Sequence, residues 1–239
     1  MHRVSRWVWA VLALLVIALG WPAYSFYTEI AKARSEDPKV WEGDIRALEA
    51  RAQGLFPADT AVVFVGSSSI RLWDSLAVDM APVPVIQQGF GGAKLNDVVH
   101  YAERLVSAHR PRAVVVFAGT NDIHPGAAKS PETLLASYQA LVAGLRAVQP
   151  RLPIFFIAIT PSPMRWDVWD IAVATNRLIA EYSASDEHLH VIDTGPALLG
   201  ANGEPDPENY VFDGLHLSER GYAQWVAMIR PRLLEELEL

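Results

Sequence analysis

Five short apolar runs, at 61–65, 83–87, 113–118, 154–160 and 190–193, alternate along this chain with longer segments of helical periodicity. Most of the runs are β-branched or aromatic and do not alternate with polar residues. Strands buried on both faces read this way. The segments between them carry apolar stripes at three- and four-residue spacing. Leu95, Val98, Val99, Ala102, Leu105 and Val106 form one, and Leu134, Leu135, Tyr138, Leu141, Val142, Leu145 and Val148 another. Segments 168–183 and 218–237 complete the set, with Ser218 placed to cap the last helix and Leu217 and Tyr222 at hydrophobic-staple positions. Strand followed by helix, repeated, predicts a parallel sheet covered on both faces.

The N-terminus stands apart from this pattern. Residues 7–28 are 22 positions without a formal charge, and Arg3 and Arg6 precede them. That length crosses a bilayer as a helix, and flanking arginines stay cytoplasmic, so the body of the chain is expected outside. Trp7, Trp9, Trp21, Tyr24 and Tyr27 sit near the two ends, as interfacial anchors do. The alternative is a cleaved signal peptide with Ala23-Tyr24-Ser25 as its small-x-small site, giving a secreted protein. The chain therefore divides into a membrane anchor or signal at 1–28, a stalk and docking helix at 29–60, and the main domain at 61–239. In the middle part Asp37 is a candidate N-cap and Pro38 a first helical residue, and Val40, Trp41, Ile45, Leu48 and Ala52 then follow a stripe that stops at Gly54.

Charge and cysteine content exclude several classes. The net charge is −7, and since the first 28 residues hold two arginines and no acid, the remainder carries −9. An acidic body without a basic stripe argues against nucleic acid as a partner. With no cysteine, thiol catalysis and thiolate metal sites are ruled out.

Four polar, glycine-bearing turns follow the apolar runs. They are Gly66-Ser67-Ser68-Ser69, Gly89-Phe90-Gly91-Gly92, Gly119-Thr120-Asn121-Asp122 and Asp213-Gly214-Leu215-His216. In parallel α/β sheets, ligands bind beyond the carboxyl ends of the strands. All four turns are expected on that one edge. A carboxylate three residues before an imidazole can make an oriented general base, and a nearby serine hydroxyl would be its partner. The residues themselves leave Ser67, Ser68 and Ser69 open as that serine.

Residues 61–225 resemble the GDSL-type hydrolases, the SGNH hydrolase superfamily. Phe64-Val65-Gly66-Ser67-Ser68 is similar to the family's first block, Gly-Asp-Ser, with Ser67 where the aspartate stands. Gly92 matches the glycine of the second block, Gly119-x-Asn121-Asp122 the third, and Asp213-x-x-His216 the last. The resemblance implies a flavodoxin-like three-layer α/β/α sandwich with a five-stranded parallel sheet, preceded here by the N-terminal hydrophobic helix. It implies Ser68 as nucleophile, His216 as base and Asp213 as its orienting carboxylate. The backbone N–H groups of Ser68 and Gly92 and the side-chain amide of Asn121 form the implied oxyanion hole. Glycine at 92 is expected to let the backbone approach substrate closely. No metal or cofactor is required. The expected activity is a serine esterase acting on a small acyl ester, such as acetylated envelope carbohydrate. The alternatives are a lysophospholipase-type lipid esterase and a non-catalytic glycan-binding module on the same fold. The expected location is at the membrane, with the catalytic domain extracytoplasmic.

Overall fold

A computed structural model describes residues 28–238. The apolar run at 7–28, and with it the expected membrane helix, lies outside the described residues apart from Thr28. Among the described residues no helix is long and apolar enough to cross a membrane.

The strands are β1 Val62–Gly66, β2 Val85–Gly89, β3 Ala113–Phe117, β4 Ile154–Ile157 and β5 Leu189–Ile192. They form one parallel sheet in the order β2-β1-β3-β4-β5. The helices are α1 Glu42–Ala52, α2 Ser68–Arg71, α3 Leu76–Asp79, α4 Leu95–Leu105, α5 Pro131–Val148, α6 Trp169–Ser183 and α7 Glu219–Glu236. Residues 28–34 are also helical, and a 3₁₀ turn at Pro38–Trp41 leads into α1.

Both faces of the central strands are buried, which explains their unbroken apolar sequence. Val63, Val65, Val114, Val116, Ile154 and Phe156 point into one core with α1, α4, α5 and α6. Val62, Phe64, Val115, Phe117, Phe155 and Ile157 point into the other with α2, α3 and α7. The result is a three-layer α/β/α sandwich. α1 belongs to the first core: Trp41, Ile45 and Leu48 are buried in it, and Trp41 meets Phe90 edge-on at 5.7 Å.

All five strands differ from the expected runs by one to three residues at one end or both, and two of these shifts have a clear physical reason. β2 begins at Val85, because Pro84 has no N–H to donate to a ladder. Its carbonyl still accepts from Val62 N at 2.8 Å. β4 ends at Ile157 because the Asn176 side chain takes both backbone groups of Ile159, each at 2.8 Å. Ser218 caps α7, accepting from Gly221 N at 3.3 Å.

Candidate active site

The loops leaving β1, β2, β3 and β4, and the loop before α7, meet at the carboxyl edge of the sheet. The tightest passage is at Gly66, the last residue of β1. Its φ is +146°, and a Cβ there would run into the Phe117 carbonyl of the neighbouring strand. Only glycine fits both the conformation and the space. Ser67 N then donates to Phe117 O at 2.9 Å, and Phe90 N to Gly66 O at 3.0 Å, so the first two loops are tied to the sheet. Ser68 opens α2, where backbone N–H groups have no partner within the helix.

Ser68 meets a side chain 148 positions away: its Oγ is 2.8 Å from Nε2 of His216. Nδ1 of His216 is 2.6 Å from Oδ2 of Asp213. A neutral imidazole that donates Nδ1–H to Asp213 has Nε2 free to accept the serine proton. The other oxygen of Asp213 accepts the backbone N–H groups of Leu215 at 2.9 Å and His216 at 3.0 Å. Partial burial pushes the Asp213 carboxyl up, but the bonds from the His216 ring and from the two N–H groups outweigh it. The carboxyl is held below its ordinary value. The turn between them needs Gly214, whose φ is +64°. Among the three serines, the geometry brings Ser68 to the histidine.

Asn121 follows the β3 turn. One N–H of its amide donates to Ala93 O at 3.0 Å, which leaves the second for another acceptor. Asp122 beside it is buried and accepts Leu95 N at 2.9 Å through Oδ2 and Lys129 Nζ at 2.9 Å through Oδ1. Burial raises the Asp122 carboxyl; Lys129 and the Leu95 N–H oppose that without cancelling it. These contacts bind the third loop to the second.

Gly92 plays a different steric part from the one expected. The position a Cβ would occupy lies 2.5 Å from Cβ of Ala33, so the close approach is to the chain's own segment 28–36. At Gly91 a Cβ would meet the Trp41 ring and, at 3.0 Å, Oε2 of Glu29. Sequence reasoning missed this segment, since 29–37 reads as a stalk.

A cavity of about 10 Å³ opens beside Ser68 and Asn121, walled by Phe117, Thr120, Thr160, Ser162, Leu215 and Leu217. That is room for about one water. Thr120 Oγ1 and Ser162 Oγ are buried without a hydrogen-bond partner. Thr160 and Ser162 had no sequence signal beyond their place after the fourth apolar run. Outside the cavity, Phe212 is fully exposed next to Asp213, and Met164 is half exposed with its N–H on Gly214 O at 2.9 Å. Trp166 and Trp169 stack at 6.0 Å after β4. Asp193 supports its own loop, accepting Gly195 N at 3.0 Å. His190 stacks on Phe155 in the sheet at 4.5 Å.

Solved structures share this architecture at low identity. A GDSL-like lipase from Bacteroides thetaiotaomicron superposes with a TM-score of 0.66 at 18% identity, over 80% of this chain and 98% of that one. A candidate acylhydrolase from Bacteroides fragilis gives 0.69 at 20%, over 80% and 96%. A carbohydrate esterase family 3 protein from Talaromyces cellulolyticus gives 0.59 at 17%, over 74% and 98%. No curated protein matches the chain. The sequence profile of the GDSL-like lipase/acylhydrolase family matches residues 52–224, spanning the Ser68, Gly92, Asn121 and Asp213–His216 turns, and the chain therefore belongs to that family.

Proposed function

We propose that this protein is a serine esterase that hydrolyses small acyl esters through an acyl-enzyme. The observation that carries the reading is the continuous chain Ser68 Oγ, His216, Asp213, with contacts of 2.8 and 2.6 Å. His216 Nε2 takes the Ser68 proton as Oγ bonds to the ester carbonyl carbon, and Asp213 stabilises the resulting imidazolium. The carbonyl oxygen becomes an oxyanion, met by the Ser68 and Gly92 N–H groups and the second N–H of Asn121. Collapse breaks the ester C–O bond, and His216 returns the proton to the leaving alcohol. Water, deprotonated by the same ring, attacks the acyl-Ser68; collapse releases the acid and restores the serine.

The cavity beside Ser68 supports an acyl group near the size of acetyl, because it has room for only about one water. A lysophospholipid is the second reading, favoured by fully exposed Phe212 and half-exposed Met164 at the rim. A non-catalytic glycan-binding role would leave the Ser68–His216 contact without a purpose. Hydrolysis of p-nitrophenyl acetate, butyrate and octanoate decides among these. The small-acyl reading expects kcat/KM to fall as the chain lengthens. Octanoate equal to or better than acetate overturns it in favour of a lipid ester, and no turnover on any ester removes the esterase assignment. Acetylated glycans form the next panel.

We also propose that the apolar run at 7–28 tethers the enzyme with its catalytic domain extracytoplasmic, in the periplasm or at the cell surface. Full-length protein should then remain in membranes through a high-salt wash and leave with detergent. A soluble mature form starting near residue 26 would show signal cleavage instead, without touching the esterase assignment.

A further inference from the structure

Lys94 is 1% exposed, yet it carries an ammonium group two residues after Gly92. Such a charge is costly to bury unless it is paired and hydrogen-bonded. Its Nζ donates to the Ser35 carbonyl at 2.6 Å and to Glu36 Oε1 at 2.6 Å. Both partners come from the segment that packs Ala33 against Gly92. The second oxygen of Glu36 is 3.0 Å from Lys129 Nζ. Lys129 reaches Asp122 Oδ1 at 2.9 Å and Asn96 Oδ1 at 3.2 Å, and Asp122 Oδ2 accepts Leu95 N. One carboxylate thus links the entry of α4, which follows Gly92, to the turn that carries Asn121. The Asn121–Ala93 bond closes the same ring.

We infer that residues 28–36 form a strap that sets the geometry of the oxyanion donors, with Glu36 as the positioning residue that ties it down. The inference rests on the esterase reading above. Without the Glu36 charge, Lys94 stays buried with neutral oxygens alone to pair its ammonium, the Ser35 carbonyl and, in Glu36→Gln, the amide oxygen, and the 92–95 backbone must shift to hydrate it. Gly92 moves with that backbone, and Asn121 follows through Ala93. A donor displaced by an ångström loses much of its hold on the oxyanion while ground-state binding changes little. The rest of the strap is held separately, through Lys32 on Asp44 at 2.7 Å and Glu29 on Arg71 at 3.9 Å.

The test uses the full-length chain and p-nitrophenyl acetate, with thermal melts confirming that each variant is folded at the assay temperature. Glu36→Gln should lower kcat by roughly tenfold or more with KM within about threefold, as expected for a contact made mainly in the transition state. Glu36→Asp should fall between parent and Gln. Asp44→Asn, which loosens the strap away from the loop, should stay within about twofold of the parent, because that ion pair, 30% and 32% exposed, touches neither the Gly92 loop nor the Asn121 turn. In an Asn121→Ala background the cost of Glu36→Gln should shrink, because the two changes act on one set of donors. If Asn121→Ala loses activity while Glu36→Gln keeps kcat, or if the two costs add in full, the strap inference is overturned and the esterase reading stands. If Asn121→Ala keeps kcat, the oxyanion-hole reading fails first. Should Glu36→Gln not fold, Glu36→Asp carries the test: a lowered kcat at steady KM supports the inference, and full kcat overturns it.

Discussion

Replacing Asn121 separates its catalytic part from its structural one. The amide makes one bond inside the protein, to Ala93 O at 3.0 Å, and its second N–H remains for the cavity it shares with Ser68. Asn121→Ala removes both. The internal bond is worth about 1 kcal/mol to stability, a loss of about 2–4 °C in Tm for a chain of this size. An oxyanion donor is worth about 2.7–4 kcal/mol in the transition state, or 10²–10³ in kcat. Activity should therefore collapse while the fold barely changes. Asn121→Asp is the sharper variant. It keeps the shape but offers only acceptors, one facing the Ala93 carbonyl and one facing the developing negative charge. Its kcat should fall at least as far as that of Asn121→Ala. The assay is steady-state hydrolysis of p-nitrophenyl acetate beside a thermal melt. A kcat within about tenfold of the parent for Asn121→Ala, below the range for losing one donor, would refute the reasoning, as would an Asp variant more active than the Ala variant.

Three further outcomes follow from the same geometry. Ser68→Ala should abolish turnover in a folded protein while Ser67→Ala and Ser69→Ala retain it, because the Ser68 hydroxyl is the one bonded to His216; a dead Ser67 or Ser69 variant with an active Ser68→Ala would move the nucleophile. kcat/KM on an activated ester should rise from acid toward neutral pH, since the imidazole must be unprotonated to accept the Ser68 proton. Asp213 is held below its ordinary value, so it stays charged throughout and adds no second ionisation. Its bonds contribute stability above the unfolded carboxyl value of about 3.9, lost only as pH falls through the lower folded value. A flat profile would exclude an imidazole base. Gly66→Ala should cost about 3 kcal/mol or more, from strain at positive φ and the clash with Phe117 O. A melt lowered by less than about 3 °C, one kcal/mol or so at this chain length, would contradict that.

Much of the architecture was legible in the sequence because burial leaves a local imprint. Runs such as 113–118 are apolar at every position because both faces of β3 are covered, and the α5 stripe repeats with the helical turn because one side meets the sheet. From that alternation alone the polar turns at 66–69, 89–92 and 119–122 fall on one edge. The edges of the elements were less legible where a single contact decided them, as Asn176 does for the end of β4.

What the sequence by itself determined was the layered parallel sheet and the edge on which its polar turns gather, since both depend on periodicities within ten to twenty residues. The choice of Ser68 over Ser67 and Ser69 depended on family resemblance, and only the tertiary structure supplies its physical basis. α2 starts at Ser68, which aims one hydroxyl of three at a ring 148 residues away. The burial of Lys94 and the strap at 28–36 were invisible for the same reason. A lysine near the start of a helix reads as surface, and a charged segment such as 29–37 reads as a stalk. Their pairing exists only once the fold brings Glu36 to within 2.6 Å of a lysine 58 positions further along. Local pattern records how much water a residue avoids; which distant group replaces that water is decided by the packed chain.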